Sequence, residues 1–314
     1  MRALITGITG FAGSHLAEYL LSRGDEVWGL CRRRSPRKHL TKVRQQLKLV
    51  EGDMRDQSSL FRVLRESQPD TIFHLAAQSF VPTSWRAPAD TFETNVTGQS
   101  YLFEVVREME IDPMIQIAGS SEEYGMVYPD ETPIGELNPL RPLSPYAVSK
   151  VAQDLMAYQY HRSYGMRVVR TRAFNHTGPR RGPEFVASAF ARQIVAIEKG
   201  AAPIIRVGNL EAERDFTDVR DVVQAYVASV ECGEPGEVYN ICSGSAVSIG
   251  TLLEMLLSLS KIKVTIEKDP ALDRPSDVPL LLGDASKFKK ASGWERVIPL
   301  EKTLLDLLNW WRRR

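Results

Sequence analysis

The sequence predicts an α/β fold in which a doubly wound parallel sheet is joined by a smaller C-terminal domain. Three observations carry that prediction. A glycine-rich turn, Gly7-Ile8-Thr9-Gly10-Phe11-Ala12-Gly13, lies between an apolar run and an amphipathic stretch. Short apolar runs alternate with helical patterns as far as Ala118. Tyr146 and Lys150 stand four apart in Ser144-Pro145-Tyr146-Ala147-Val148-Ser149-Lys150, the spacing that puts two side chains on one helix face.

Composition bounds the reading. The chain has 314 residues, 43% hydrophobic and 25% charged, which is globular usage and enough for a large core or two domains. A net charge of +1 gives no field that points to nucleic acid or a membrane surface. Cys31, Cys232 and Cys242 show neither paired nor metal-ligand spacing, and the five histidines are scattered, so a reduced compartment and no metal are expected. The opening apolar run is too short for a signal peptide and no run approaches a membrane span. The expectation is a soluble, cytoplasmic protein.

Taken in order, Ala3 to Thr6 reads as a buried strand and Ser14 to Ser22 as the helix after the glycine turn. Glycines let the backbone turn tightly and let a pyrophosphate approach a helix N-terminus, where free amides favour negative charge. Gly7, Gly10 and Gly13, with Phe11 and Ala12 between them, are therefore candidate dinucleotide contacts, although the spacing is G-x-x-G-x-x-G and not the commoner G-x-G-x-x-G. The second strand, Glu26 to Cys31, runs into Arg32-Arg33-Arg34 where an acid would hold a ribose 2′-hydroxyl. Arginine there offers charge-assisted bonds to a 2′-phosphate, so NADP(H) is favoured over NAD(H), with Arg32 the first candidate contact; the alternative is a solvated loop shared with Arg37 and Lys38.

Lys48 to Met54 is a third strand, ending in Asp53 and Met54 near the adenine edge, and Thr71 to Ala77 a fourth, running through Leu75 to the small Ala76 and Ala77, which leave room beside a cofactor. His74 reads as a satisfied core histidine. A helix is predicted over 89–109, with Asn95 capping or supporting the cofactor site. The strand Pro113 to Ala118 then enters Gly119-Ser120-Ser121-Glu122-Glu123-Tyr124-Gly125. Ligands of such sheets gather at the carboxyl ends of strands, which puts Ser120, Ser121 and Glu122 where substrate belongs, unless the hydroxyls merely cap their own turn. On the helix opened by Ser144, the Lys150 ammonium is expected to lower the pKa of the Tyr146 phenol toward neutrality and suit it to general acid–base work.

Gly7 to Gly13, Leu75 to Ala77, Asn95, the Ser120 turn and Tyr146 to Lys150, in this order, resemble the extended short-chain dehydrogenase/reductases that act on nucleotide sugars. The likeness spans almost the whole chain and implies a Rossmann-type domain with a substrate-binding domain. It also implies that Tyr146 is the catalytic acid/base, that Lys150 binds the nicotinamide ribose, and that Ser120 bonds the reacting sugar oxygen. Arg172 to Pro179, Glu184-Phe185-Val186, Val207 to Val219 and Arg274-Pro275-Ser276-Asp277 resemble the GDP-sugar branch, the GDP-mannose 4,6-dehydratases and GDP-4-keto-6-deoxymannose reductases. For a diphosphate sugar ligand, Ser79, Ser121, Asn175, Arg181, Val186, Arg214 and Arg274 are the candidate contacts.

Between the two enzymes the motifs divide. Glu122, where dehydratases keep the glutamate that moves the C5 proton, and Pro179-Arg180-Arg181-Gly182 favour dehydration. Phe11-Ala12 replaces their usual Gln-Asp, Thr177-Gly178 their Glu-Ser, and Phe216-Thr217-Asp218 their Trp-Gly-Tyr. The tail is compact as well. The reading is therefore an NADP(H)-dependent reductase of the C4 keto group of GDP-4-keto-6-deoxy-D-mannose, giving a GDP-6-deoxyhexose (GDP-D-rhamnose). The 4,6-dehydratase is the alternative, and a non-catalytic dinucleotide sensor the distant one, disfavoured because Tyr146 and Lys150 are both present. Residues 1–174 are expected to form the dinucleotide domain, with a return segment over 215–241 that includes a helix from Phe216 to Val230, and residues 175–314 the sugar-nucleotide domain. Helices near 89–109 and 146–164 resemble those that join family members into homodimers through a four-helix bundle.

Overall fold

A computed structural model describes residues 1–272 and 278–314. The strands are β1 (Arg2–Thr6), β2 (Glu26–Cys31), β3 (Lys48–Glu51), β4 (Thr71–His74), β5 (Met114–Ser120), β6 (Val168–Ala173), β7 (Asn175–Thr177), β8 (Ile204–Val207), β9 (Glu213–Asp218), β10 (Val238–Ile241), β11 (Ala246–Ser248), β12 (Thr265–Lys268) and β13 (Leu280–Leu281). The helices are α1 (Phe11–Ser22), α2 (Gln57–Ser67), α3 (Val81–Arg86), α4 (Pro88–Phe92), α5 (Gly98–Glu108), α6 (Pro145–Tyr164), α7 (Val186–Glu198), α8 (Val219–Cys232), α9 (Ile249–Ser258), α10 (Ser286–Ser292) and α11 (Leu300–Arg312).

Seven strands form one parallel sheet in the order β10-β6-β5-β4-β1-β2-β3. The order reverses between β1 and β4, so the loops after these strands part and leave a crevice at their carboxyl ends. Helices cover both faces, which is why the central strands are apolar on both sides. One face buries Leu16, Leu20, Val222, Tyr226 and Phe288 against Ala3 and Ile5, and the other buries Leu60, Leu64, Leu102, Val106 and Tyr160 against Leu4 and Ile72. A separate core under α7, α9 and α11 gathers Phe190, Ile194, Leu252, Leu256, Leu304 and Leu308. There β9 pairs with β7, β11 and β13, while β8 pairs with β12.

The local grammar explains the element that matters most. Ser144 Oγ accepts the Ala147 N–H at 3.1 Å, Pro145 occupies the first turn, and Gly165 closes α6 in the left-handed region at φ 70°. Three expectations need correction. The first helix begins at Phe11, inside the glycine turn and ahead of Ser14. The helix expected over 89–109 is interrupted: after α4 a π-helical turn, Glu93–Thr97, precedes α5. That widened turn points Asn95 inward, fully buried. The helix expected from Phe216 begins at Val219, because Phe216 to Asp218 is strand, hydrogen-bonded to β7, and Asp218 caps α8 through the Arg220 N–H at 2.8 Å.

Candidate active site

The crevice deepens into a cavity of about 650 Å³ that runs from the glycine turn to the N-termini of α6 and α7. At one end, Gly7 sits at φ 74° with its α-carbon against strand β4's exit: a β-carbon would stand 2.9 Å from Ala76 N and Cα. One on Gly13 would stand 2.4 Å from the Gly7 carbonyl oxygen. The turn therefore closes only with glycine at both positions. Gly10 begins α1 with no side-chain cap, so the first amides of the helix open on the cavity beside Phe11 and Ala12. A cradle of bare backbone amides at a helix N-terminus fits the pyrophosphate of a dinucleotide.

Most candidate residues meet in this cavity. Arg32, Asp53 and Met54 line it at the exits of β2 and β3, and Leu75, Ala76, Ala77 and Ser79 at the exit of β4. Asp53 accepts from the Arg55 backbone at 3.0 Å and from its guanidinium at 3.1 Å; these bonds, with the charge of Arg32 adding to them, hold its carboxyl below the ordinary range. Ser120, Ser121, Glu122, Tyr146, Lys150, Asn175, Arg181 and Val186 form the other end. Asn95 stands behind the wall, its Oδ1 accepting the Gln78 N–H at 2.7 Å and its amide donating to Ser149 Oγ at 2.8 Å, so it braces the β4 loop against α6. Arg214 is outside the lining, its guanidinium donating to the Val278 carbonyl at 2.7 Å. Arg274 lies outside the described residues. His74 is a core histidine as expected, bonded to Thr6 Oγ1 at 2.9 Å and pushed down to about 3 by burial.

Ser120 caps its own turn and also lines the cavity. Its Oγ accepts the Glu122 N–H at 3.2 Å, capping the turn, and it shares a hydrogen bond with the Tyr146 phenol. The expected acidification of that phenol is not what the geometry delivers. Burial pushes Tyr146 up, the Ser120 bond and the Arg181 charge pull it back, and Glu122 and Glu123 push it further up. The reason is where the ammonium goes: Lys150 Nζ donates to the Ala118 carbonyl at 2.8 Å, and burial drives the lysine toward its neutral form.

Several lining residues escaped the sequence reading. Tyr226 on α8 is buried beside Tyr146 and Arg181, whose charges act on its phenol. A tyrosine in an apolar helical stripe reads as core, and no local signal marks it otherwise. Arg181 lies over the Phe185 ring at 3.4 Å and the Phe11 ring at 4.8 Å, while Phe11 stacks on His176 with 5.9 Å between centroids. Enclosed within the walls of the cavity it faces, this guanidinium is pushed down to about 10. Ser35 and Phe80 complete the wall.

The family model described as GDP-mannose 4,6 dehydratase matches residues 4–307. The chain belongs to this family. Among its relatives, the GDP-6-deoxy-D-mannose reductase of Pseudomonas aeruginosa is 33% identical over 314 residues, covering 100% of this chain and 98% of that protein. The GDP-mannose 4,6-dehydratase of Vibrio cholerae serotype O1 is 35% identical over 346 residues, covering 98% and 92%. Among solved structures, RMD from Pseudomonas aeruginosa complexed with NADPH superposes with a TM-score of 0.88 at 31% identity, covering 100% of this chain and 99% of that one. The UDP-glucose 4-epimerase of Thermus thermophilus, a complex with NAD, gives 0.88 at 29% identity over 99% of both chains. This GDP-mannose 4,6-dehydratase-family chain thus shares the seven-stranded parallel scaffold of nucleotide-sugar enzymes, and among its described residues no helix is long and apolar enough to cross a membrane.

Proposed function

We propose that the chain reduces the C4 keto group of GDP-4-keto-6-deoxy-D-mannose, with NADP(H) as cofactor, to a GDP-6-deoxyhexose of the rhamnose configuration. The observation that carries the choice is where the departures from the dehydratase pattern fall: Phe11, Ala12, Thr177 and Phe216 all line the cavity. The full-length likeness to a GDP-6-deoxy-D-mannose reductase supports it. Glu122 favours the second reading, 4,6-dehydration of GDP-mannose, because it lines the same cavity and its charge acts on Tyr146.

When bound, a reduced nicotinamide supplies a hydride. Gly7, Gly10 and Gly13 hold its pyrophosphate, Arg32 the 2′-phosphate, Asp53 and Met54 the adenine edge, and Lys150 the nicotinamide ribose. Ser120 and Tyr146 hydrogen-bond the C4 oxygen of the sugar and stabilise the alkoxide as it forms. Tyr146 then gives that oxygen its proton; a phenol held protonated by burial is suited to donate. Asn175, Arg181 and Val186 face the sugar nucleotide, with Arg181 offering a fixed cation to the diphosphate.

Residues 1–174 serve as the dinucleotide domain, with 215–241 returning to it, and 175–314 as the sugar-nucleotide domain. Pairing of β10 with β6 supports the return. A homodimer through α5 and α6 is the assembly we infer, supported by Val148, Leu155 and Tyr158, which are 42%, 52% and 46% exposed along α6. Free Cys31, Cys232 and Cys242 agree with a reduced, cytoplasmic setting.

The test incubates purified protein with GDP-mannose, and separately with GDP-4-keto-6-deoxymannose and NADPH. Loss of reduced-nicotinamide absorbance only with the keto sugar is the expected result. Conversion of GDP-mannose to the keto sugar without net cofactor change makes the protein the dehydratase.

A further inference from the structure

Beneath the cavity lies a carboxylate that the proposed reaction does not use. Glu123, in the turn that carries Ser120, is fully buried. Its Oε1 accepts the Ser120 N–H at 2.7 Å, and its Oε2 lies 3.2 Å from Arg172 Nε. Gly119 makes the room, since a β-carbon there would stand 2.6 Å from Glu123 Oε1. On the other side of Gly119, Lys150 Nζ donates to the Ala118 carbonyl. The end of β5 is therefore held from one side by an ammonium and from the other by a carboxylate.

The groups that act on this carboxylate come from every element around it. Asp154, Lys150 and Tyr146 come from α6, Arg172 from β6, and Tyr124 from its own turn. Asp154 in turn bonds Arg172 Nε at 3.0 Å and Arg170 at 2.6 Å. The cluster thus sets Glu123 and Asp154 against Lys150, Arg170 and Arg172.

We propose that Glu123 is a positioning residue of the reaction centre: its carboxyl oxygen holds the Ser120 N–H and so fixes the backbone from which Ser120 reaches the cavity. The proposal rests on reading Ser120, Tyr146 and Lys150 as that centre.

Glu123→Gln keeps an oxygen for the Ser120 N–H and nearly the same volume, whereas Glu123→Asp draws the acceptor back from it. In a Glu123→Asp protein that still melts cooperatively, turnover is expected to fall roughly tenfold with KM unchanged, while Glu123→Gln keeps most of it. Exchange of the backbone amides in the peptide that spans Ser120, followed by mass spectrometry with neither cofactor nor sugar present, is expected to quicken in Glu123→Asp and to stay near wild type in Glu123→Gln. Wild-type turnover and wild-type exchange in Glu123→Asp overturn the proposal, whether or not Glu123→Gln folds. Because the exchange needs no substrate, its outcome stands apart from whether the wild type reduces the keto sugar.

Discussion

Lys150 Nζ lies 6.0 Å from the centre of the Tyr146 ring, one helical turn away, and gives its hydrogen bond to a backbone carbonyl instead of the phenol. The pair shares a face of α6, and among the described residues no hydrogen bond joins them. Tyr146 is left as a protonated phenol, raised above its ordinary range chiefly by burial and tied to Ser120. A donor in that state matches a reaction that ends by protonating an alkoxide.

Replacing Tyr146 by Phe removes the donor while keeping the ring that fills the wall. Turnover is expected to fall by about 10² to 10⁴, the range for loss of a general acid. Dinucleotide affinity, measured by nicotinamide fluorescence, is expected to change little. Wild-type turnover in Tyr146→Phe removes the phenol from the mechanism.

Arg32 stands exposed where β2 opens on the cavity, and the nearby Arg37 is occupied by Glu51 at 2.5 Å. Arg32→Ala is expected to weaken NADPH binding about tenfold while leaving NADH binding nearly unchanged, because a charge-assisted bond to one phosphate is lost. Equal losses for both cofactors would place the 2′-phosphate elsewhere.

Acid should destabilise the fold well before its surface carboxylates titrate. Burial pushes His15 down to about 4, His74 to about 3 and His176 to about 4. A base whose folded pKa lies below its unfolded value, about 6.5, binds fewer protons folded than unfolded, so stability rises with pH across that window. The contribution is complete above about pH 6.5 and is lost progressively as pH falls toward 4. Glu123, Asp215 and Asp221, raised by burial, work in the opposite sense, while the half-buried His39, pushed down to about 4, adds to the imidazoles. The melting temperature is expected to drop by roughly 5 °C or more between pH 7.5 and 5. A flat profile would mean that the three imidazoles are not buried neutral.

What the sequence made legible was local. The strand-glycine-helix turn from Gly7 to Gly13 and the four-residue spacing of Tyr146 and Lys150 are written in contiguous residues, so they were readable without a fold. Asn95 was legible as a support, but the π-helical turn that aims it at Gln78 and Ser149 was not, since only packing against α6 favours that widening. Glu123 reads in sequence as one more acid of a polar turn; its burial depends on Arg172, which β6 brings alongside. Tyr226 and the stacking of Arg181 on Phe11 and Phe185 likewise come from elements far apart in the chain. The lowered pKa expected for Tyr146 failed because spacing says that two side chains share a face and says nothing of where their polar ends point.

The most direct test of the reductase assignment uses NADPH carrying deuterium at the transferable C4 position of the nicotinamide, with GDP-4-keto-6-deoxymannose as acceptor. Deuterium is expected at C4 of the product hexose, in the manno configuration, with none in the Tyr146→Phe control over the same interval. Wild-type protein that leaves the keto sugar undeuterated, or that instead forms it from GDP-mannose with NADPH unspent, would contradict the assignment.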